Sequence, residues 1–341
     1  MTISNIEPLQ DPQPLKEDGR SAGWIKLVFR IGIALWLIIG LFSYFGFSKI
    51  VARLTSIDPG YVAVACGILA LQYLLSSMRW HYILKREGLT FGFARAFSLF
   101  GMGALSNLVL LNAIAGLSVR GVLLVRLGAS VSRTLGALLV ERLAAVGGMC
   151  FCLAIGLAFS FQLLQSRLDG LHLTATQMLL AGGGVLLVAV LAVVLWRFDV
   201  IKQFVEQARE AFFAPGVLAM LIVLSTVIVF LGFAGVAALA KGMALEIDPF
   251  FFISVMPAVA FVSALPISIG GWGVREGMMV AGLALFSIPP EAAVALSISY
   301  GLAGVLVAVI LGAIAILIYA MNRPAPIQNE SAGDGGNTEQ S

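Results

Sequence analysis

Ala264-Leu265-Pro266-Ile267-Ser268-Ile269-Gly270-Gly271-Trp272-Gly273-Val274-Arg275-Glu276 is the stretch on which the reading of the fold turns. It holds three glycines and a proline within eight residues, a density that no regular helix carries. Yet it lies inside an apolar region running from Pro249 to Ile288. Non-helical backbone at membrane depth survives only where protein or water satisfies its polar groups. The stretch therefore reads as the tip of a broken helix that lines a cavity. A half-helix starting near Val274 would aim its free N–H groups and positive dipole end at that cavity. Arg275 would add a full positive charge there, which suits an anion such as a lipid phosphate.

The rest of the chain supports a membrane setting. Of 341 residues, 60% are hydrophobic and 11% are charged. A soluble domain carries about 25% charged residues. These proportions exclude a soluble enzyme, a disordered protein and a secreted disulfide scaffold. The apolar runs are continuous and about 20 residues long, which fits helices rather than the alternating segments of a β-barrel. A net charge of +3 is too small for a nucleic-acid binder. Cys66, Cys150 and Cys152 lie in apolar runs, and His81 and His172 are far apart, so neither a disulfide framework nor a metal site is expected. No cofactor motif, nucleophile motif or paired catalytic carboxylates occur, so no catalytic role is expected.

The expected spans are 27–47, 60–80, 132–161, 175–196, 215–240 and 291–321. Two interrupted apolar regions, 91–127 and 249–288, complete the set. Residues 197–214 read as an interfacial amphipathic helix. Residues 1–22 read as a polar cytoplasmic segment, 23–321 as the transmembrane domain, and 322–341 as a disordered tail.

Positive charge sets the topology. If 91–127 crosses the bilayer, lysines and arginines split 10 inside to 8 outside. If it dips in and returns, the split is 14 to 4, with Lys49, Arg53, Arg167 and Lys241 outside. The second arrangement obeys the positive-inside rule. The fold expected is an all-α polytopic membrane protein, with about six full spans, two re-entrant hairpins and both termini cytoplasmic. Three spans per half would invert one half against the other. A weak repeat agrees: Ala115–Arg120 aligns with Gly270–Arg275 at an offset of 155.

Few charges remain within the apolar regions. Glu141 and Arg142 lie about ten residues into their helix, roughly 15 Å along its axis. Sequence neighbours do not face each other on a helix, so each needs a partner elsewhere. Arg120 or Arg275 is a candidate partner for Glu141. Intramembrane charges are expensive, so a functional role is the default reading for Arg275, Glu276, Glu141, Arg142 and Arg120. Anchoring at the interface is the alternative for Arg275 and Glu276, and a structural ion pair for Glu141. Arg79-Trp80 reads as a snorkelling arginine beside an interfacial tryptophan.

Several of these motifs resemble the lysylphosphatidylglycerol synthase transmembrane family, also called the flippase-like domain family. Leu265–Glu276 is similar to that family's Pro…GlyGly-x-Gly-x-Arg-Glu signature. Arg79-Trp80, Gly116…Arg120 and Glu141-Arg142 are similar too. The family's first hairpin often carries a proline before its glycine and an acid after it. Here Ala113 or Ile114 and Leu117 stand there, and Ala145 replaces a frequent acid after the Glu-Arg pair. The resemblance implies a multi-pass protein of a bacterial or archaeal inner membrane. Some members join a C-terminal aminoacyl-transfer domain to this membrane part; the synthase activity is not carried over to this chain.

The expected function is transport of a lipid or lipid-linked anionic substrate across the inner membrane. The substrate's headgroup would meet Arg275, Glu276, Gly270, Gly271, Gly273, Arg120, Glu141 and Arg142. The alternative is a non-catalytic membrane subunit assisting lipid-modifying or glycosyl-transfer enzymes. An intramembrane enzyme acting on a lipid phosphate is a third reading, and the lack of a nucleophile beside a base argues against it.

Overall fold

The computed structural model describes residues 47–109, 115–168, 215–264 and 272–322. The described residues form ten helices and no strand. They are α1 (Phe47–Thr55), α2 (Pro59–Arg86), α3 (Phe93–Val109), α4 (Ala115–Arg126), α5 (Val131–Leu168), α6 (Pro215–Gly242), α7 (Pro249–Ser254), α8 (Met256–Ala264), α9 (Val274–Ala284) and α10 (Pro290–Met321). Four of them, α2, α5, α6 and α10, are long and apolar enough to cross a membrane. The expected spans 27–47 and 175–196, the amphipathic segment 197–214, the polar segment 1–22 and all of the tail beyond Asn322 lie outside the described residues.

Local chemistry sets the helix ends. Asp58 caps α2 by accepting a 2.7 Å hydrogen bond from the Gly60 N–H, and Pro59 occupies the first turn, where its missing N–H is no loss. At the other end Gly88 takes φ +74°, and Leu89 N–H bonds back to Leu84 O at 2.9 Å. This is a Schellman ending, and it places the end of α2 six residues beyond the expected Trp80. Gly128 ends α4 the same way, with φ +94° and a 3.1 Å bond from Ala129 N–H to Leu124 O.

Each interrupted region becomes a set of short helices. The first is α3 and α4, packed on each other, with 110–114 between them outside the described residues. The second is α7, α8 and α9, with 265–271 outside. Val255 separates α7 from α8, and the neighbouring Pro257 lacks the N–H a continuous helix would use.

Helix α10 is the common neighbour, packing on α1, α2, α3, α6 and α9. Small residues along it, including Gly301, Ala303, Gly312 and Ala315, allow that closeness. Trp80 and Leu99 centre one apolar cluster, which gathers α2, α3, α4, α5 and α6. Phe251 and Met279 lie in a second, which gathers α1, α2 and α6 to α10. Leu71, Val223 and Leu317 stay exposed on the outer surface, as lipid-facing residues do.

Candidate functional site

Two arginines and one glutamate gather where α2, α4, α5 and α6 meet. Arg79, Arg120 and Glu141 are all buried, at 6%, 4% and 5% exposure. Arg120 Nη1 lies 2.8 Å from Glu141 Oε2, off the hydrogen-bonding direction, so the contact is an ion pair alone. Arg79 Nη2 approaches Glu141 Oε1 to 3.9 Å, and Arg79 Nη1 donates a 2.7 Å hydrogen bond to Ser225 Oγ. The guanidinium of Arg120 also lies 4.9 Å from the Trp80 ring centroid and 5.2 Å from that of Phe100. Two cation–π faces and one carboxylate therefore surround it.

Glycines let Arg120 reach this place. A Cβ on Gly103 would stand 2.8 Å from Arg120 Cγ and 2.9 Å from Gly116 O. Only glycine lets α3 approach α4 that closely. Asn107 bridges the same gap, its Oδ1 accepting a 2.6 Å bond from the Gly116 N–H. Gly116 thus has one of the orphan donors of its helix start satisfied.

Arg142 parts company with this cluster. It is exposed on the outside of α5, while its neighbour Glu141 points in. The 100° turn between successive helical residues dictates that split. Arg79 departs from the interfacial reading in the same way. It sits within α2, its guanidinium hydrogen-bonded to α6, and Trp80 beside it is fully buried.

The second centre is the start of α9. Gly273 has φ +85°, a conformation that favours glycine. Glu276 reaches back and accepts a 2.5 Å bond from the Gly273 N–H through Oε2. Gly273 has no side chain, so this is the returning half of a capping box only. The other oxygen, Oε1, accepts from Arg275 Nη2 at 2.8 Å and from Ser297 Oγ at 2.9 Å. Arg275 Nε also donates to Ser297 Oγ at 3.0 Å. Arg275 and Glu276 can pair although adjacent because the glutamate folds back over the helix end. Glu276 is 1% exposed, and Arg275 lies 4.9 Å from the Trp272 ring centroid. Gly301 of α10 makes room: a Cβ there would stand 2.9 Å from Trp272 Cη2 and overlap the Arg275 guanidinium. Gly270 and Gly271 lie outside the described residues.

A pocket of about 310 Å³ opens beside the second centre and extends to Phe100. Arg275, Tyr300 and Gly301 line one side, and Gln72, Tyr73 and Phe100 the other. Phe100 is the ring that Arg120 faces, and Tyr73 packs edge-on against it at 5.1 Å. Tyr73 OH, Arg79 Nε, Trp80 Nε1, Arg120 Nη1 and Glu141 Oε2 are buried without a hydrogen-bond partner among the described residues. The charge balance differs between the centres. Arg275 is neutralised by Glu276, whereas Glu141 must serve both Arg79 and Arg120. Among the described residues no group of three or more metal-ligating side chains occurs.

Sequence reading missed the partners Arg79, Ser225, Ser297 and Tyr300. Serines and tyrosines in apolar helices give no pattern of their own. Arg79 carried a signal, since apolar residues continue past it to Ile83 and Leu84 before Gly88.

Outside the spans, Glu87 is half-buried at the end of α2, next to α5. Burial holds its carboxyl above the ordinary carboxylate value, against the lowering influence of Arg133. The folded state therefore binds this proton more tightly than the unfolded state does. The resulting stabilisation is present at acid pH and is lost as pH rises from the ordinary glutamate value through the raised one. Thermal unfolding in detergent should show stability falling across that window, and Glu87→Gln should flatten the fall. Identical pH profiles for the two proteins would refute the assignment.

No curated protein and no solved structure matches the chain. The family defined by the lysylphosphatidylglycerol synthase TM region does match, over residues 24–312. That range contains the buried arginine cluster, the capped start of α9 and the pocket beside Arg275, and the chain belongs to this family of membrane proteins.

Proposed function

We propose that the chain is a flippase-like transporter, moving a lipid or lipid-linked anionic substrate across a bacterial inner membrane. One observation carries this reading: a single pocket has Arg275 on one wall and, on the other, the aromatic ring that Arg120 faces. An anionic headgroup entering it would meet the Arg275 guanidinium and the hydroxyls of Tyr73 and Tyr300. Its tail would remain in the bilayer. Glu276 and Glu141 orient and partly neutralise the two arginines.

The lengths of the short helices support two re-entrant hairpins beside six full spans. Helix α4 has 12 residues, about 18 Å, against a hydrocarbon core of about 30 Å. Helix α9 has 11 residues and is shorter still. Both termini are cytoplasmic in this arrangement. The protein is a carrier rather than a catalyst in this reading, with lipid-biosynthesis enzymes as its neighbours.

Reconstitution tests it. Proteoliposomes containing the wild type should move headgroup-labelled anionic lipid between leaflets. Arg275→Ala should slow that movement by about tenfold or more, the size expected for losing one charge-assisted contact. Equal rates for the two proteins would remove Arg275 from the site. No movement by either would favour the accessory-subunit alternative.

A further inference from the structure

Helices α4 and α5 enclose an open groove of about 670 Å³ on the outer side of the buried cluster. Its walls are apolar, with Leu117, Val122, Val125, Val131, Leu135 and Leu138 among them. Among the described residues two charged ones line it, Arg126 and Arg142, and no carboxylate does. Among the described residues neither arginine has an ion pair. Glu141 faces inward and is held between Arg79 and Arg120, so it attracts Arg142 without forming an ion pair with it.

The register places the two arginines at opposite ends. A four-residue turn joins the helices, and Gly121 faces Thr134 and Leu138 midway along them. Arg126 is then level with Val131, and Arg142 with Ala115. Eleven residues of α5 separate the two levels, about 16 Å. A helical side chain leans toward the N-terminus of its own helix. In an antiparallel pair that lean carries Arg126 and Arg142 toward each other, into the middle of the groove. Two guanidinium groups converging on an apolar trough repel unless an anion lies between them.

We infer that this groove binds an anionic glycerophospholipid, with its phosphate between Arg126 and Arg142 and an acyl chain along the apolar wall. The charge pattern selects the occupant. A zwitterionic lipid would bring its own cation to two arginines that have no ion pair among the described residues, and a soluble anion would leave the apolar wall uncovered. The site is distinct from the pocket at Arg275, and it would hold lipid whether or not that pocket transports.

The test uses the full-length protein in detergent, with bound lipid counted by native mass spectrometry. It is run in the wild type and in an Arg275→Ala background, which leaves the groove as the arginine site probed. In both, phosphatidylglycerol should be retained in preference to phosphatidylcholine. Adding Arg126→Gln and Arg142→Gln should weaken phosphatidylglycerol retention by about tenfold or more, the loss expected for two charge-assisted contacts. Val122→Trp, which fills the trough from an exposed position and keeps both arginines, should weaken it as well. Unchanged retention in the double glutamine variant would overturn the proposal. So would equal retention of the two lipids, or loss of the preference with Arg275→Ala alone. Cross-linking of Val122→Cys between two copies would give the groove to a second chain, and would also overturn it.

Discussion

Glu141→Ala is expected to destabilise the folded protein by about 3–5 kcal/mol, the range for removing one partner of a buried ion pair. The reason lies in the count of charges. Among the described residues Glu141 is the one carboxylate against Arg79 and Arg120, and all three are nearly inaccessible. Its removal leaves two guanidinium groups buried together. Ser225 and the Trp80 and Phe100 rings offer dipoles and π faces, but no charge. A pair taken out whole behaves differently, because apolar replacements of similar volume often match a buried ion pair in stability. Replacing Arg79, Arg120 and Glu141 together by methionine or leucine should therefore recover most of the stability and none of the function. Thermal unfolding in detergent distinguishes the two proteins. A Glu141→Ala variant as stable as wild type would show that the cluster has another counter-charge.

The parts of this arrangement differ in how legible they were, and the reasons are physical. The broken start of α9 was readable because glycine and proline act through the backbone, whatever surrounds them. The inward position of Glu141 was readable in kind, since a carboxylate deep in an apolar helix must find a cation. Which cation was open, and the structure gives Arg120, with Arg79 further off. Arg79 was hidden by its context. An arginine beside a tryptophan, about twenty residues into an apolar run, looks like a span's end. Gly88 marks the true end, and its Schellman geometry could have been inferred from the apolar residues that continue to Leu84. Ser225 and Ser297 were not legible, because a serine in an apolar helix most often bonds its own preceding turn. Ser225 does that as well, donating to Leu221 O at 2.6 Å while accepting from Arg79. The offset of 155 aligned Arg120 with Arg275, but their settings differ. Arg120 lies within α4 and pairs with another helix, whereas Arg275 is the second residue of α9 and pairs with its own neighbour.

Glu276 should prove as sensitive as Glu141, by another route. One oxygen holds the Gly273 N–H, which fixes the left-handed residue that starts α9. The other holds Arg275 and Ser297. Glu276→Ala removes the cap and the counter-charge together, and a loss of about 3–5 kcal/mol is expected from the charge alone. Glu276→Gln separates the two effects. Its carbonyl oxygen can still accept from Gly273, and its amide cannot accept from Arg275. The helix start should then persist, with Arg275 left positive and facing the pocket. An anionic headgroup would bind more tightly to such a site and leave it more slowly. Glu276→Gln should therefore retain anionic lipid better than wild type, yet transport it more slowly. Glu276→Ala should lose both folding stability and transport. If Glu276→Gln binds the anionic lipid no better than wild type, Glu276 does not set the charge of the pocket. Its part would then be confined to holding the turn at Gly273.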